Sequence, residues 1–457
     1  MISHFNSIMV SSIIVKHKKL IILNRKTGHC RKDPILLTRH NCIQAVETSY
    51  SPFSVVGKWF KSVTSMIYYY TTNAFKKVPI VQPSATLPVI KIPKPIAICH
   101  NTSTHQHIDR GIVNLCVLPE PIVQVHRCNE LNIGDLHANA LKLLHILVKE
   151  NVLRTNHFDY AIFRDMYFTP PIYKTKEHYA LLTKILSRIK KSDTCPFKLV
   201  RLDGDEFGDR GEDDKTTAIL LIRISELIPL NILGSNHGLL MMLMVRNKFK
   251  GLLYGNMPPQ FIKSMLQLNT LFKQRTITKK ALLAEFKQLY HSNMQLICYS
   301  ETSTTFTIHS HGRIGTNTIK SAALLFEVPF LEKKMQPAEI IDCINQRFRK
   351  EILSGSLFKR GLGFNTQVDV LRPPLEFPIL RCMWSRFYDS FDEPLTSLKE
   401  AFPWIREDKK LFFVHAHTGQ GFVEQKYEDR VFNLDNELGK GHGHMVGKYI
   451  ALLTQSD

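Results

Sequence analysis

Asp135 and His137 stand two apart in "IGDLH", Asp205 lies in "RLDGDEFGDRGEDD", and Asn236 and His237 are adjacent in "GSNHG". Histidines then come in pairs two apart, His309 and His311 in "TIHSHG" and His415 and His417 in "VHAHTG". Carboxylates, an amide oxygen and imidazoles are the donors that borderline divalent cations such as Mn, Fe or Zn take. Residues 201–214 also crowd seven carboxylates into fourteen positions of a chain whose formal net charge is +20. Like charges that close repel unless water or a cation stands among them. One carboxylate shared between two cations, flanked by Asp135, His137, Asn236, His311 (or His309) and His417, accounts for the crowding.

Donors this far apart in sequence meet only if secondary structure brings them to one place. Each of the five motifs follows a short apolar run that reads as a strand, and several are followed by a helical pattern. After "IGDLH" the residues Leu141, Leu144 and Leu147 fall on one helical face; "TTAILLIRISELI" follows the acidic turn, and "LLMMLMV" follows "GSNHG". Alternating strand and helix units predict an α/β fold with helices packed on its sheets. In such folds ligands bind beyond the carboxyl ends of the strands, where these motifs would converge. Residues 256–291 read as a basic, all-helical insertion between two of the motifs. Residues 1–95 show no sustained periodicity and run into the proline-rich "VPIVQPSATLPVIKIPKPIAI", which predicts an N-terminal extension ahead of a catalytic domain over 96–457.

The order of these motifs resembles the PPP branch of the calcineurin-like metallophosphoesterases, whose signature is GDxH, GDxxDRG, GNH and two later single histidines. They stand here as Gly134-Asp135-Leu136-His137, Gly204-Asp205 through Asp209-Arg210-Gly211, and Asn236-His237, with late histidines near 311 and 417. The sequence departs from the signature in three ways. One extra residue separates Asp205 from Asp209, Ser235 is inserted before Asn236, and "HSHGRIG" lacks the usual glycine pair. These variants are similar to the divergent PPP-type phosphatases that intracellular bacteria deliver as effectors. The resemblance implies a central β-sandwich flanked by helices and two bound divalent cations. Asp135, His137 and His417 would hold the first cation, Asn236 and His311 the second, and Asp205 would bridge them. Two cations about 3.5–4 Å apart supply hydroxide at neutral pH and clamp phosphoryl oxygens. His237 would be the general acid, oriented by Asp209, a role that typically contributes about 10²–10⁴-fold. Arg210 would fork onto phosphate oxygens, with Arg386 in "MWSRFYD" as the second such arginine. His309 and His415 remain alternatives to His311 and His417. The other acids, Glu206, Glu212, Asp213 and Asp214, read as a solvated helix start, and His442 and His444 as a solvated turn.

Composition narrows the remaining choices. A pI near 9.5 calls for an anionic partner, yet the basic residues are spread without a nucleic-acid-binding run. Nine scattered cysteines with no C-x-x-C read as reduced, mostly buried thiols of a cytoplasmic protein. No apolar run reaches membrane-spanning length, and the positive charge follows the apolar "SIMVSSIIV" instead of preceding it, against a secretory signal. Three functions fit such a core: a phosphoprotein phosphatase, a nucleotide or dinucleoside-polyphosphate phosphohydrolase, or a binding module that has lost catalysis. The complete ligand set argues against the third. The chain length and the insertion favour a phosphorylated protein as substrate.

Overall fold

The computed structural model describes residues 12–16, 19–23, 106–122, 127–208, 213–246, 259–357, 373–386, 397–406, 408–417, 422–423, 430–435 and 446–457. The chain divides into two units, Met1–Thr86 and Leu87–Asp457. In the first, β1 (Ser12–Lys16) and β2 (Lys19–Leu23) form an antiparallel hairpin. Most of the expected extension over 1–95, with its proline-rich end, lies outside the described residues.

The second unit contains two larger sheets. The six-stranded sheet runs β3 (Gln106–Asn114), β15 (Val446–Thr454), β4 (Glu130–Ile133), β7 (Leu199–Leu202), β8 (Leu230–Leu233) and β9 (Met294–Gln295). Its β4, β7, β8 and β9 are parallel, and β15 is antiparallel to its neighbours. The five-stranded sheet runs β10 (Cys298–Glu301), β11 (Thr305–His309), β12 (Lys410–His415), β14 (Val431–Asn433) and β13 (Phe422–Val423), with β11, β12 and β14 parallel. A small pair, β5 (Leu153–Arg154) and β6 (Lys190–Lys191), stands apart.

The two sheets face one another. Ile108 and Leu452 from the first pack against Phe412, Val414, Phe432 and Leu434 from the second. Between the sheets lies a polar strut. Arg201 on β7 is fully buried, pairs with Glu130 on β4 at 3.4 Å, and donates to the Tyr299 carbonyl at 3.1 Å and to His309 Nε2 at 3.2 Å. Burial opposes ionisation of Glu130, but Arg201 overrides it and holds the carboxyl below its usual range. Burial pushes His309 well below the usual imidazole range, and Arg201 adds to that, so His309 is a neutral acceptor.

Helices follow where the apolar period is 3.6 residues. In α1 (Ala140–Lys149), Leu141, Leu144 and Leu147 are all buried. Next come α2 (His157–Phe168), α3 (Lys176–Arg188) and α4 (Asp214–Leu227), then α5 (Asn236–Val245), which begins three residues beyond β8. Residues 259–293 are two helices, α6 (Pro259–Lys273) and α7 (Lys279–Asn293), the second capped by the Thr278 side chain. Later helices are α8 (Thr316–Leu325), α9 (Pro337–Ser354), α10 (Pro378–Trp384) and α11 (Leu398–Ala401). Among the described residues no helix is long and apolar enough to cross a membrane. Of the six cysteines described, all are free, three buried and three half-buried, so the expectation of mostly buried thiols is met only in part.

The Arg201 strut gives a stability prediction. Arg201→Met leaves Glu130 buried without its cation and should cost about 3–5 kcal/mol, whereas adding Glu130→Gln should return part of that loss. Urea unfolding of the two variants beside the wild type measures both.

Candidate active site at the strand ends

Strand register assembles the site. Ile133 pairs with Leu202 and Leu202 with Ile232, so β4, β7 and β8 end side by side. In the facing sheet His309 pairs with Val414, so β11 and β12 also end together. The next residues along each strand carry the donors. Asp135 and His137 follow β4, Asp205 follows β7, Asn236 and His237 open α5 after β8, His311 follows β11, and His417 follows β12.

All of these side chains are buried, and they meet around Asp205. Its carboxylate lies 3.2 Å from His311 Nε2, 3.7 Å from His237 Nε2, 3.8 Å from His137 Nε2 and 3.9 Å from His417 Nδ1. Asp135 stands 3.6 Å from both His137 and His311, and the Asn236 amide oxygen is 3.1 Å from His311 Nε2. The backbone N–H of His237 donates to Asp205 at 3.3 Å. Two sets, His137–Asp205–His237 and Asp205–His311–His417, each hold their ligand atoms within 4.8 Å of one another, close enough to share a cation. Asp205 belongs to both.

Charge explains how the cluster holds together. Burial opposes ionisation of Asp205, but the imidazoles of His237 and His311 override it and hold the carboxyl well below its usual range. Burial likewise disfavours the His311 cation, yet Asp205 and Asp135 push its pKa up to about 10. Burial pushes His417 down to about 3, against the pull of Asp205. Asp205 is thus favoured as the anion with His311 as its cationic partner, while burial disfavours charge on His417.

The backbone here is bent unusually. His137, Asp205 and His417 have φ of 48°, 47° and 67°, in a left-handed region that residues with a side chain occupy at a cost of about 1 kcal/mol or more. Gly204, at φ 101°, leaves room that a side chain would not. A Cβ there would come within 2.6 Å of His311 Nδ1. That ring nitrogen lies 2.7 Å from the Asp203 carbonyl, which can accept its N–H.

The paired histidines divide. His311 and His417 stand in the cluster, whereas His309 belongs to the Arg201 strut and His415 Nδ1 faces the Ala416 carbonyl at 3.0 Å. Arg386 is exposed, and its positive charge is felt at His417. Asp209, Arg210, Glu212, His442 and His444 lie outside the described residues.

The expected solvated helix start is a correction. Glu206, Asp213 and Asp214 are all buried. Asp213 pairs with Lys174 and accepts from the Thr216 N–H at 3.0 Å, capping α4, while Asp214 accepts from the Gly208 N–H at 2.7 Å. Tyr290 donates to Glu206. Carboxylates packed this closely enter the interior because each finds its own donors, and those donors lie outside the stretch itself or fold back from it.

Asp203 is a residue the sequence did not single out. Fully buried behind Asp205, it has no hydrogen-bond partner for either carboxylate oxygen among the described residues. Burial pushes its carboxyl up to about 8, against Arg201. The "DGD" spacing alone could have raised it, since two acids two apart at a strand end face the same side.

Comparison with known proteins adds to this geometry. The sequence matches the family model described as WipA-like, phosphatase domain, over residues 199–440, a span that contains Asp205, Asn236, His237, His311 and His417. No curated protein sequence matches the chain. Among solved structures it is similar to the phosphatase domain of the Legionella effector WipB, with a TM-score of 0.51 and 23% identity, covering 64% of this chain and 99% of that one. It is also similar to the cold-active protein-tyrosine phosphatase of a psychrophilic Shewanella, with a TM-score of 0.38, 13% identity, and coverage of 74% and 78%. The WipB likeness shows a shared mixed α/β fold.

A pH titration tests the assignment of Asp203. Its pKa is raised above the unfolded value near 4, so its contribution to stability is complete below that pH and lost as pH rises through about 8. With chelator present, Asp203→Asn should match wild type near pH 4 and exceed it near pH 8 by on the order of a few kcal/mol. Parallel stability curves for the two proteins would show that Asp203 does not titrate on folding.

Proposed function

The chain belongs to the family of WipA-like phosphatase domains, and on that premise we propose that it hydrolyses phosphomonoesters of proteins with two divalent cations, Mn first and Fe or Zn as alternatives. The proposal includes a calcineurin-like fold of the PPP type, with a catalytic domain over 96–457 carrying 256–291 as a helical insertion. The observation that carries it is the convergence of donors from both sheets on one buried carboxylate, Asp205.

The residues fit such cations. Carboxylate and amide oxygens mixed with imidazoles suit borderline divalent metals. His417 Nε2 is buried with no hydrogen-bond partner among the described residues. His311 directs Nδ1 at the Asp203 carbonyl, which leaves Nε2 to face Asp205 and Asn236, as an orienting hydrogen bond does for a ligating imidazole. Asp135 and His137 would hold one cation and Asn236 and His311 the other, with Asp205 between them; His417, expected on the first cation, groups instead with His311 and would serve the second. When bound, such a pair acidifies a water and clamps phosphoryl oxygens.

The chain's own groups do the rest. Asp205 stays ionised, and its negative charge compensates both cations at once. His237, on the first turn of α5, would give its proton to the departing alkoxide or phenolate oxygen, which otherwise leaves as a poor anion. Asp209 would orient that ring, and Arg210 with Arg386 would hold the non-bridging phosphate oxygens. WipB is described as a Legionella effector; the proposal extends to this chain delivery into a host cell's cytoplasm.

The direct experiment assays phosphoserine, phosphothreonine and phosphotyrosine peptides beside dinucleoside polyphosphates, with Mn and with chelator. Phosphopeptide turnover that needs Mn is expected. Turnover of the polyphosphates alone would replace the protein-phosphatase reading with the nucleotide one, and activity surviving exhaustive chelation would end the metal mechanism.

Two sets of variants separate the roles. Asp205→Asn should lose metal and activity together, while His237→Ala should keep metal and lose turnover, most with poor leaving groups. If His237→Ala empties the site equally, His237 is a ligand, as its place in the His137–Asp205–His237 set allows. His311→Ala and His417→Ala should each bind fewer than two metals per chain by mass spectrometry, whereas His309→Ala and His415→Ala should retain both.

A further inference from the structure

Two departures from the metallophosphoesterase signature and the helical insertion meet in one place. The segment between Asp205 and Asp209 carries the extra residue and includes Glu206. The second departure is the inserted Ser235, and the helical insertion provides Tyr290 on α7. Tyr290 donates to Glu206 Oε1, and Ser235 Oγ donates to Glu206 Oε2 at 3.3 Å. The Ser235 oxygen in turn accepts from the Gly238 N–H at 3.1 Å, the geometry of a helix N-cap for α5. Glu206, Ser235 and Tyr290 are all fully buried.

The same contacts reach the site from two directions. Along the chain, Glu206 follows Asp205, and their carbonyls accept from the N–H groups of Ala138 at 3.1 Å and His137 at 2.5 Å. Across space, Ser235 precedes Asn236 and His237. Gly238 leaves Glu206 room to approach, since a Cβ there would lie 2.4 Å from Glu206 Oε1. Phe207 packs on Phe286 of α7 with centroids 4.7 Å apart, so the acidic loop is seated on that helix by apolar contact as well.

We infer that Glu206 and Tyr290 are positioning residues of this site. The strut from α7 through Glu206 and Ser235 fixes the first turn of α5, and with it Asn236 and His237, against Asp205. A buried carboxylate with a phenol and a serine as donors tolerates little displacement, because each donor lost leaves a buried oxygen unpaired. Negative charge on Glu206, at the start of α5, would sit where the helix dipole favours it. The inference rests on the phosphatase reading above, in which His237 protonates the leaving group.

Tyr290→Phe removes one oxygen and is the sharpest probe. With Mn-loaded protein, kcat for an alkyl phosphate such as a phosphoserine peptide should fall roughly tenfold, with KM within about twofold. The loss should be smaller for an aryl phosphate with a good leaving group, and metal content should be unchanged. Glu206→Gln, which keeps an acceptor for Tyr290, should retain most of the activity that Glu206→Ala loses, and Lys287→Ala, on the exposed face of α7, should change nothing. In metal-free protein, amide hydrogen exchange at His237 and Gly238 should speed up roughly tenfold in Tyr290→Phe. Equal losses for both leaving groups, or unchanged exchange at those amides, would overturn the positioning role. Wild type lacking Mn-dependent activity while Tyr290→Phe still loosens those amides would instead defeat the phosphatase reading and leave the strut as a structural device.

Discussion

A carboxylate with no access to water persists as an anion only where positive charge or oriented donors stand against it, since burying a lone charge costs several kcal/mol even after relaxation. Asp205 meets that condition by drawing in histidines from four separate chain segments. His137 comes from the turn after β4, His237 from the start of α5, and His311 and His417 from the ends of β11 and β12. Because β11 and β12 belong to the other sheet, the charge balance around one side chain requires both sheets to end at the same level. The left-handed backbone at His137, Asp205 and His417 follows from the same demand. A strand that continued straight would carry each ring past the carboxylate, so the chain turns within one or two residues at a local conformational cost. Two shared cations would satisfy the demand more fully than a proton on His311 does, which is the physical content of the metal proposal.

The paired histidines show how two residues on one strand take different work. His309 closes β11 and turns into the layer between the sheets, where it accepts from Arg201 and lies 3.1 Å from Ser300 Oγ. His311, two positions on, is past the last ladder pair and free to bend into the site. The neutral ring of His309 helps hold the strand at the height from which His311 reaches Asp205. Arg201 connects this to β4 through Glu130 and Asn132, and β4 carries Asp135. The register of the strands that carry the cluster is thus tied from below by one buried guanidinium and from above by the Glu206 strut.

The donor set was legible in the sequence because it sits where local signals are strongest. Each of these residues follows an apolar strand run and precedes or includes a glycine turn, so Asp135, His137, Asp205, Asn236 and His237 could be picked out residue by residue, while the choice of His311 over His309 and of His417 over His415 stayed open until the strands were placed. The α/β class, the leucine face of α1 and the helices after 256 follow from periodicity alone. What could not be read was the fate of acids in one crowded stretch. Glu206, Asp213 and Asp214 resemble solvated loop residues, and nothing local says otherwise. Their burial depends on Lys174, Tyr290 and the folded-back Gly208 N–H, partners whose positions only the tertiary structure sets. A charge pattern gives the sum of charges, whereas burial depends on which donors arrive.

That distinction also resolves the contrast between a chain of net charge +20 and an acidic centre. Glu130 and Asp213 pair with the buried Arg201 and Lys174, and burial disfavours the charged form of Asp203, so much of the acid is balanced inside and the lysines and arginines at the surface stay uncompensated. Lys279 and Lys280 on α7, for example, face solvent. The exterior field therefore favours approach of a phosphate dianion or an acidic segment of protein, and salt would screen that attraction over about 8–10 Å. Inside, the same acids would be the sink for cations. A phosphate ester approaching Asp205 without bound cations would meet a repelling carboxylate; with two cations in place the local sign reverses, and the outer field and the site pull the same way.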